Sequence, residues 1–230
     1  MTTIIQHCKF FSQIIRLPSA SLNFSREINP EKIVETYLYF TMPHPRYRLI
    51  QHKTIGAALI DLKHIGTKEN YLSLISGKNG GSHHAERART RGYTVSEISL
   101  NVYIDAIHEI NNSCPSRQGR PMDIAYQKRS DHFDELDHVQ SFGVFNNTGE
   151  LVAYANIARF GNFFGFSQLI GLRNNDGIMH LMLIEIIFNL LQQKKVRYVM
   201  YDTYFGALPG LRRFKTTMGF RPYRVKYKLI

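Results

Sequence analysis

Between residues 139 and 228 the hydrophobic period changes in a fixed order, and that order restricts the folds open to the chain more than any other feature. VQSFGVF turns at Asn146, Asn147, Thr148 and Gly149 into LVAYANIARF, which turns at Gly161 and Asn162 into FFGFSQLIGL. Short apolar runs joined by Asn- and Gly-containing turns are strands of an antiparallel meander. From Ile178 to Gln193 the pattern becomes helical. Its polar residues fall along Glu185, Asn189 and Gln192 or Gln193, so most of that helix is apolar and has to pack against a sheet. RYVMYDTY is apolar enough for an interior strand and returns after a crossover helix, which sets it parallel to FFGFSQLIGL. The expectation is therefore that strand 163–172 pairs antiparallel with 151–160 and lies parallel to 197–204, the last two diverging toward their C-terminal ends.

Upstream, the signals are local. Pro18, Pro30, Pro43 and Pro45 punctuate residues 1–45, which read as a lead-in packed on the main body, with all of 1–230 forming a single domain. Asn29 followed by Pro30 marks a helix start. Tyr47–His52 reads as a strand, Thr54–Ile65 as a helix through Ile55, Leu59 and Leu62, and YLSLIS at 71–76 as a strand. KNGGS at 78–82 is a loop with Ser82 as the cap, followed by a short basic helix that stops at Gly92 and a strand through Val95 and Ile98. A helix spans Val102–Ile110 with Tyr103, Ile107 and Ile110 on one face. SCPSRQGRPM at 113–122 is too rich in turn formers for a helix and belongs at the surface.

A chain of 230 residues that is 43% apolar can bury a substantial core. No uninterrupted apolar run is long enough to span a bilayer, since Ile178–Leu191 is broken by His180, Glu185 and Asn189. No secretory leader is visible in MTTIIQHCKF, so a cytoplasmic location is expected. Cys8 and Cys114 fit no ligand spacing and read as reduced thiols; the neighbours His7 and Cys8, or His83 and His84, point apart on any regular backbone, so no metal is expected. The net charge of +11 favours polyanionic partners such as RNA, nucleotide cofactors or anionic lipid, without choosing among them.

Meander, crossover helix, parallel strand, then a helix closed by Gly-Phe and a last strand resemble the GNAT acyltransferase fold, an α/β (α+β) mixed sheet. More narrowly, PGLRRFKTTMGF at 209–220 is similar to the "GL-x-x-FK-x-x-x-G" segment of the FemAB-like branch. ERARTRGYTVSEIS, YIDAIHEI and Tyr126 are similar to segments carried upstream in that branch, so the resemblance covers roughly residues 70–228. It implies an N-acyltransferase moving an acyl or aminoacyl group from acyl-CoA or aminoacyl-tRNA, as donor substrate rather than tightly bound cofactor, onto a small-molecule or peptide amine. The loop Arg173, Asn174, Asn175, Asp176, Gly177, Ile178, Met179 is one residue longer than the coenzyme-A pattern and lacks its second small residue.

Acyl transfer to an amine needs a hold on the donor's phosphates, a path for the amine proton and hydrogen-bond donors for the tetrahedral oxyanion. Free N–H groups at Gly177 and Ile178, with Arg173 and Asn175 beside them, offer a phosphate site at a helix N-terminus, or else Gly177 simply starts the helix. If the loop binds donor, Gly177→Pro removes binding and spares the fold. Asp202 lies near the end of the parallel strand, where open sheets place ligands, and is the candidate base or amine binder; the alternative is a loop cap. Tyr204 and its neighbour Tyr201 are candidate phenolic acids or plain core aromatics. In 209–219 the spacing turns Leu211, Phe214 and Met218 inward and leaves Lys215 facing the strand-end cleft or solvent, while the resemblance implies a place for Lys215 near the donor and acceptor. Arg117, Gln118 and Arg120 form a basic loop able to clamp a carboxylate or phosphate of the acceptor, or a solvated linker. Two readings from other classes remain open: a non-catalytic interaction module with this fold, and a basic RNA-binding protein.

Overall fold

The computed structural model describes residues 14–45, 48, 50–77, 80–117 and 120–230. In chain order, β1 (Ser19–Phe24) leads to α1 (Pro30–Thr41), β2 (Ile55–Asp61), α2 (Leu62–Ile65), α3 (Lys68–Leu74), α4 (Gly81–Thr90) and β3 (Thr94–Glu97). After a 3-10 turn at Leu100–Val102 come α5 (Ile104–Asn112), β4 (Ser116–Arg117), β5 (Arg120–Pro121) and α6 (Ile124–Gln127). The meander is β6 (Val139–Phe145), β7 (Leu151–Arg159) and β8 (Phe163–Gly171), followed by α7 (Ile178–Gln193), β9 (Tyr198–Thr203), α8 (Pro209–Thr217) and β10 (Arg221–Leu229).

Eight strands form one mixed sheet in the order β1-β10-β2-β9-β8-β7-β6-β3. As expected, β7 pairs antiparallel with β8, and β8 pairs parallel with β9. Alternation along β7 sends Ala153, Ala155 and Ile157 into the core under α4 and α7, and Tyr154 into a second cluster with Ile107 and Ile110 of α5. The apolar reading of α7 holds, with nine of its residues buried, among them Leu181, Leu183, Ile186 and Leu190.

Three upstream readings need correction. Residues 54–65 are not one helix but strand β2 with the short α2 after it. Gly56 apart, β2 is apolar up to Asp61, and Gly56–Ile60 are all buried, so no alternation marks it and the chance spacing of Ile55, Leu59 and Leu62 imitates a helix. YLSLIS is not a strand: Thr67 caps the Asn70 N–H at 3.2 Å and starts α3, whose Tyr71 is buried one turn before Ile75. The cap of α4 is Gly80 rather than Ser82, whose hydroxyl donates to the Ile75 carbonyl at 3.3 Å. By contrast Asn29 caps α1 by accepting from the Lys32 N–H at 3.2 Å. Tyr47 and Cys8 lie outside the described residues, and Pro43 with Gln51 makes an isolated bridge. Cys114 is a buried free thiol. No helix among the described residues is long and apolar enough to cross a membrane.

The lead-in is tied into the sheet. β1 runs parallel to β10 at one edge, and the sheet curls so that the same segment meets the β7–β8 turn. The Asn162 side-chain carbonyl accepts from the Asn23 N–H at 2.7 Å, Ser25 N–H donates to the Phe160 carbonyl at 2.7 Å, and Phe24 packs against Phe160 and Phe163. A Cβ on Gly161 would lie 2.1 Å from the Asn23 carbonyl oxygen, so this approach is open to glycine alone. Gly161→Ala should therefore destabilise the fold by roughly 1–3 kcal/mol through forced backbone separation. Chemical denaturation checks it; an unchanged midpoint would mean that this contact adds nothing to stability.

Candidate functional site

The sheet has a seam. β8 and β9 stay paired only through Phe163–Tyr198, Phe164–Val199 and Gly165–Met200. Beyond them β8 follows β7 and β9 follows β2, and the gap opens into a cavity of about 530 Å³. Its walls are Phe166 to Ile170 on one side and Met200, Tyr201 and Asp202 on the other, with Tyr39, Phe40 and Lys53 from the lead-in and the stretch after it. A register shift after Asn156 leaves Ser167 as the extra residue of a β-bulge, which bends β8 at the cavity wall.

Lys215 enters this cavity from α8. It is 1% exposed, the most buried charged residue described. Its Nζ donates to the Thr203 carbonyl at 2.8 Å and lies 4.5 Å from the centre of the Tyr201 ring. Burial draws its pKa down from 10.5 to about 8, against the opposing pull of Asp202. The inward side of α8 is thus not apolar alone: Met218 is buried, Phe214 packs half-buried against His180 and Tyr201, Leu211 lines the cavity, and Lys215 is more deeply set than Leu211 or Phe214.

Asp202 stands at the cavity with its Oδ1 2.9 Å from Lys53 Nζ. Its φ of 49° is left-handed, a conformation Asp tolerates better than most residues, and it marks the point where β9 leaves the seam. Lys53 is held over the faces of Tyr39 and Phe40, with Nζ 5.1 and 4.6 Å from the ring centres. No local pattern in the sequence singled out Lys53, because its partners come from α1 and β9. Tyr201 lines the cavity between Phe166, Phe214 and Phe220, and burial pushes its hydroxyl pKa far up.

The other candidates lie elsewhere. Tyr204 is engaged by Thr216, hydroxyl to Oγ1 at 2.6 Å, and does not line the cavity. Arg173, Asn175, Gly177 and Ile178 do not line it either. Arg173 donates to the Ser116 carbonyl at 3.2 Å, Asn175 is exposed, and Ile178 is buried in the core. In front of α7 the Asp176 carboxylate is already bound by Arg91 and by the Tyr93 hydroxyl, the latter at 2.7 Å, so the helix start carries its own anion. Gly177 has φ 89°, and a Cβ there would fall 2.0 Å from the His84 carbonyl oxygen. Proline at 177 would therefore break the α4–α7 packing, and the expectation that it spares the fold is withdrawn. Arg117 and Arg120 pair in the small β4–β5 ladder; Gln118 lies outside the described residues.

Solved structures share the fold. The chain superposes on FemX with a TM-score of 0.55 and 11% identity, covering 80% of this chain and 62% of that one. It matches the C-terminal domain of a putative lysylphosphatidylglycerol synthetase from Agrobacterium fabrum with a TM-score of 0.52 and 15% identity, over 74% and 58% of the two chains. A conserved protein of unknown function from Bacteroides thetaiotaomicron gives 0.52 at 17% identity, over 73% and 56%. The chain thus spans about three fifths of the length of these structures, and its fold is the GNAT-like, FemAB-like one. No family model matches the sequence, and no curated protein does.

The burial of Lys215 has a signed consequence. Its folded pKa lies below its unfolded value, so between about pH 8 and 10.5 the unfolded chain holds a proton that the folded chain lacks, and stability rises with pH across that window. Below about pH 8 the cost of the buried ammonium is fully present. Relative to Lys215→Met, the wild type should gain stability from about pH 8 to about 10.5, by at most a few kcal/mol. Denaturation curves at several pH values check this, and a difference that stays constant throughout would contradict it.

Proposed function

We propose that this protein is an N-acyltransferase whose reaction takes place in the seam between β8 and β9, with an acyl or aminoacyl group passing from a phosphate-bearing donor, acyl-CoA or aminoacyl-tRNA, onto an amine. The observation that carries this reading is the deeply buried Lys215, whose position in FKTTMGF matches the FemAB-like segment and whose side chain reaches the same cavity as Asp202 and Lys53. A lysine buried with one carbonyl partner is costly to the fold, and groups kept at such a cost concentrate at functional sites.

The amine nitrogen attacks the donor carbonyl carbon, the carbonyl π bond becomes an oxyanion, and collapse expels the coenzyme-A thiolate, or the tRNA ribose oxygen, which leaves as a hydroxyl by taking up the proton that the amine has lost. Lys215, as a cation, stabilises the oxyanion or the adjoining phosphate. Asp202 takes the proton that the amine loses, and Lys53 orients its carboxylate. Tyr201 walls the seam and supplies a ring face to Lys215. Tyr204, Arg173, Asn175, Gly177 and Ile178 have supporting places in the fold on this reading, and Arg117, Gln118 and Arg120 remain candidates for clamping a carboxylate or phosphate of the acceptor.

With donor and acceptor supplied, Lys215→Met and Asp202→Asn should each lower transfer by at least about tenfold, roughly 1.4 kcal/mol. Met keeps the volume of the buried stem, so thermal unfolding separates lost chemistry from lost packing. Because Lys215 acts as a cation, the ratio of wild-type to Lys215→Met activity should fall as pH rises through about 8. Full activity in both variants would sink the reading.

A further inference from the structure

The seam cavity sorts its lining by depth. Of the residues around it, Phe40, Phe160, Gly165, Ile170, Met200 and Lys215 are buried, and Lys215 alone among these has a side chain with a charge or an N–H or O–H donor. The exposed members of the lining, Tyr39, Ser167 and Asp202, all carry a polar side-chain atom, and the Asp202 side chain is 55% exposed. The cavity is thus polar at its mouth and, Lys215 apart, apolar at its floor.

A second feature is independent of that order. Phe166 and Leu169 on β8 line the cavity and are only half-buried, because beyond Gly165 β9 no longer lies against β8. Leu211, one turn before Lys215 on α8, is half-buried in the same wall. Apolar surface left open in the middle of a sheet is surface that an apolar ligand can cover, and its removal from water drives binding. At about 530 Å³ the hollow falls within the roughly 300–1,000 Å³ of sites that enclose a whole small molecule, far more than an acetyl group fills.

Resting on the transferase reading above, we infer that the floor of the seam holds the side chain of the transferred acyl or aminoacyl group, and that this side chain is bulky and apolar, aliphatic or aromatic, rather than a methyl or a polar group. Lys215 marks the place of the carbonyl oxygen, since it is the single cation on the floor and the group assigned to the oxyanion. The substituent on the carbonyl carbon then lies against Leu211, which α8 sets on the same face as Lys215, and among Phe160 and Met200. A hydroxyl or amide there would lose its water and meet no partner, so the floor rejects polar side chains as well as favouring apolar ones. The amine comes in at the mouth, where Asp202 stands.

The N-methyl amides of hexanoic, phenylacetic and acetic acid carry the carbonyl and acyl group alone, without phosphate or leaving group, and their calorimetric or NMR titration against the intact protein tests this. The hexanoic and phenylacetic amides should bind saturably and at least about tenfold tighter than the acetic one. The hexanoic amide should also bind at least about tenfold tighter than the 5-hydroxypentanoic amide, which replaces its terminal methyl by a hydroxyl. N-Pentylacetamide, the isomer with the chain on nitrogen, should bind more weakly than N-methylhexanamide, because its chain leaves toward the amine side. Leu211→Asn should weaken the hexanoic amide by at least about fivefold, whereas Val102→Asn, a comparable change at an exposed residue outside the cavity, should leave it unchanged. Circular dichroism and unfolding curves establish that the variants fold. No saturable binding of the apolar amides, equal affinity for the hydroxylated one, or an effect of Val102→Asn equal to that of Leu211→Asn would each overturn the inference. Equal or tighter binding of N-pentylacetamide would overturn it too, by assigning the apolar floor to the acceptor. Because these amides cannot react, their failure does not bear on the transferase reading; binding of the apolar amides in a chain that transfers to no amine would keep the apolar floor and overturn that reading instead.

Discussion

The short parallel pairing of β8 with β9 is the constraint on which the other features rest. Three residue pairs hold the two halves of the sheet together, and then each strand follows a different neighbour, β8 turning with β7 at the Ser167 bulge and β9 with β2. A sheet opened in this way leaves backbone polar groups without ladder partners. One of them, the Thr203 carbonyl, is met by Lys215 Nζ. The side chain reaching into the seam therefore helps to close the hydrogen-bond account of the opened strand, which ties a buried charge to the topology rather than to one helix face.

Charge burial in the seam is only partly compensated. Lys215 has one carbonyl, one aromatic face and the nearby Asp202, whose carboxylate is in contact with Lys53. Two lysines and one aspartate around a single cavity leave net positive charge there, with Lys215 and Lys53 largely out of solvent and Asp202 at the exposed rim. Desolvation pulls Lys215 down to about 8, which still leaves it mainly protonated at neutral pH. That is the electrostatic condition for holding an anion or a developing oxyanion.

How much of this was legible in the sequence follows from what each signal depends on. The meander and α7 were readable because their turns carry Asn and Gly and their faces repeat with clear periods. β2 was not, because a strand buried on both faces loses the alternation that identifies strands, and its apolar spacing then fits a helix. α3 was missed because the cap that starts it, Thr67, lies before the stretch whose apolar residues imitate a strand. Of the residues lining the seam, resemblance singled out Lys215 and a place at a strand end singled out Asp202. Lys53 was not found, since only the fold brings it to Asp202. The phosphate loop was a sound guess from glycine and helix start, but the Asp176 side chain, fixed by Arg91 and Tyr93, decides the charge there, and no spacing rule carries those two contacts.

The overall charge of +11 could not choose among polyanionic partners, because a sum conceals its distribution. Exposed charges separated by more than about 8 Å are largely screened at physiological salt, so a ligand in a cavity responds to the side chains lining it and hardly to the total. Around the seam the charged lining is Lys53, Lys215 and Asp202, and around the adjoining hollow it is Glu97, Asp134, Glu135 and Asp137, with Tyr126, Ser167 and Gln168 shared between them.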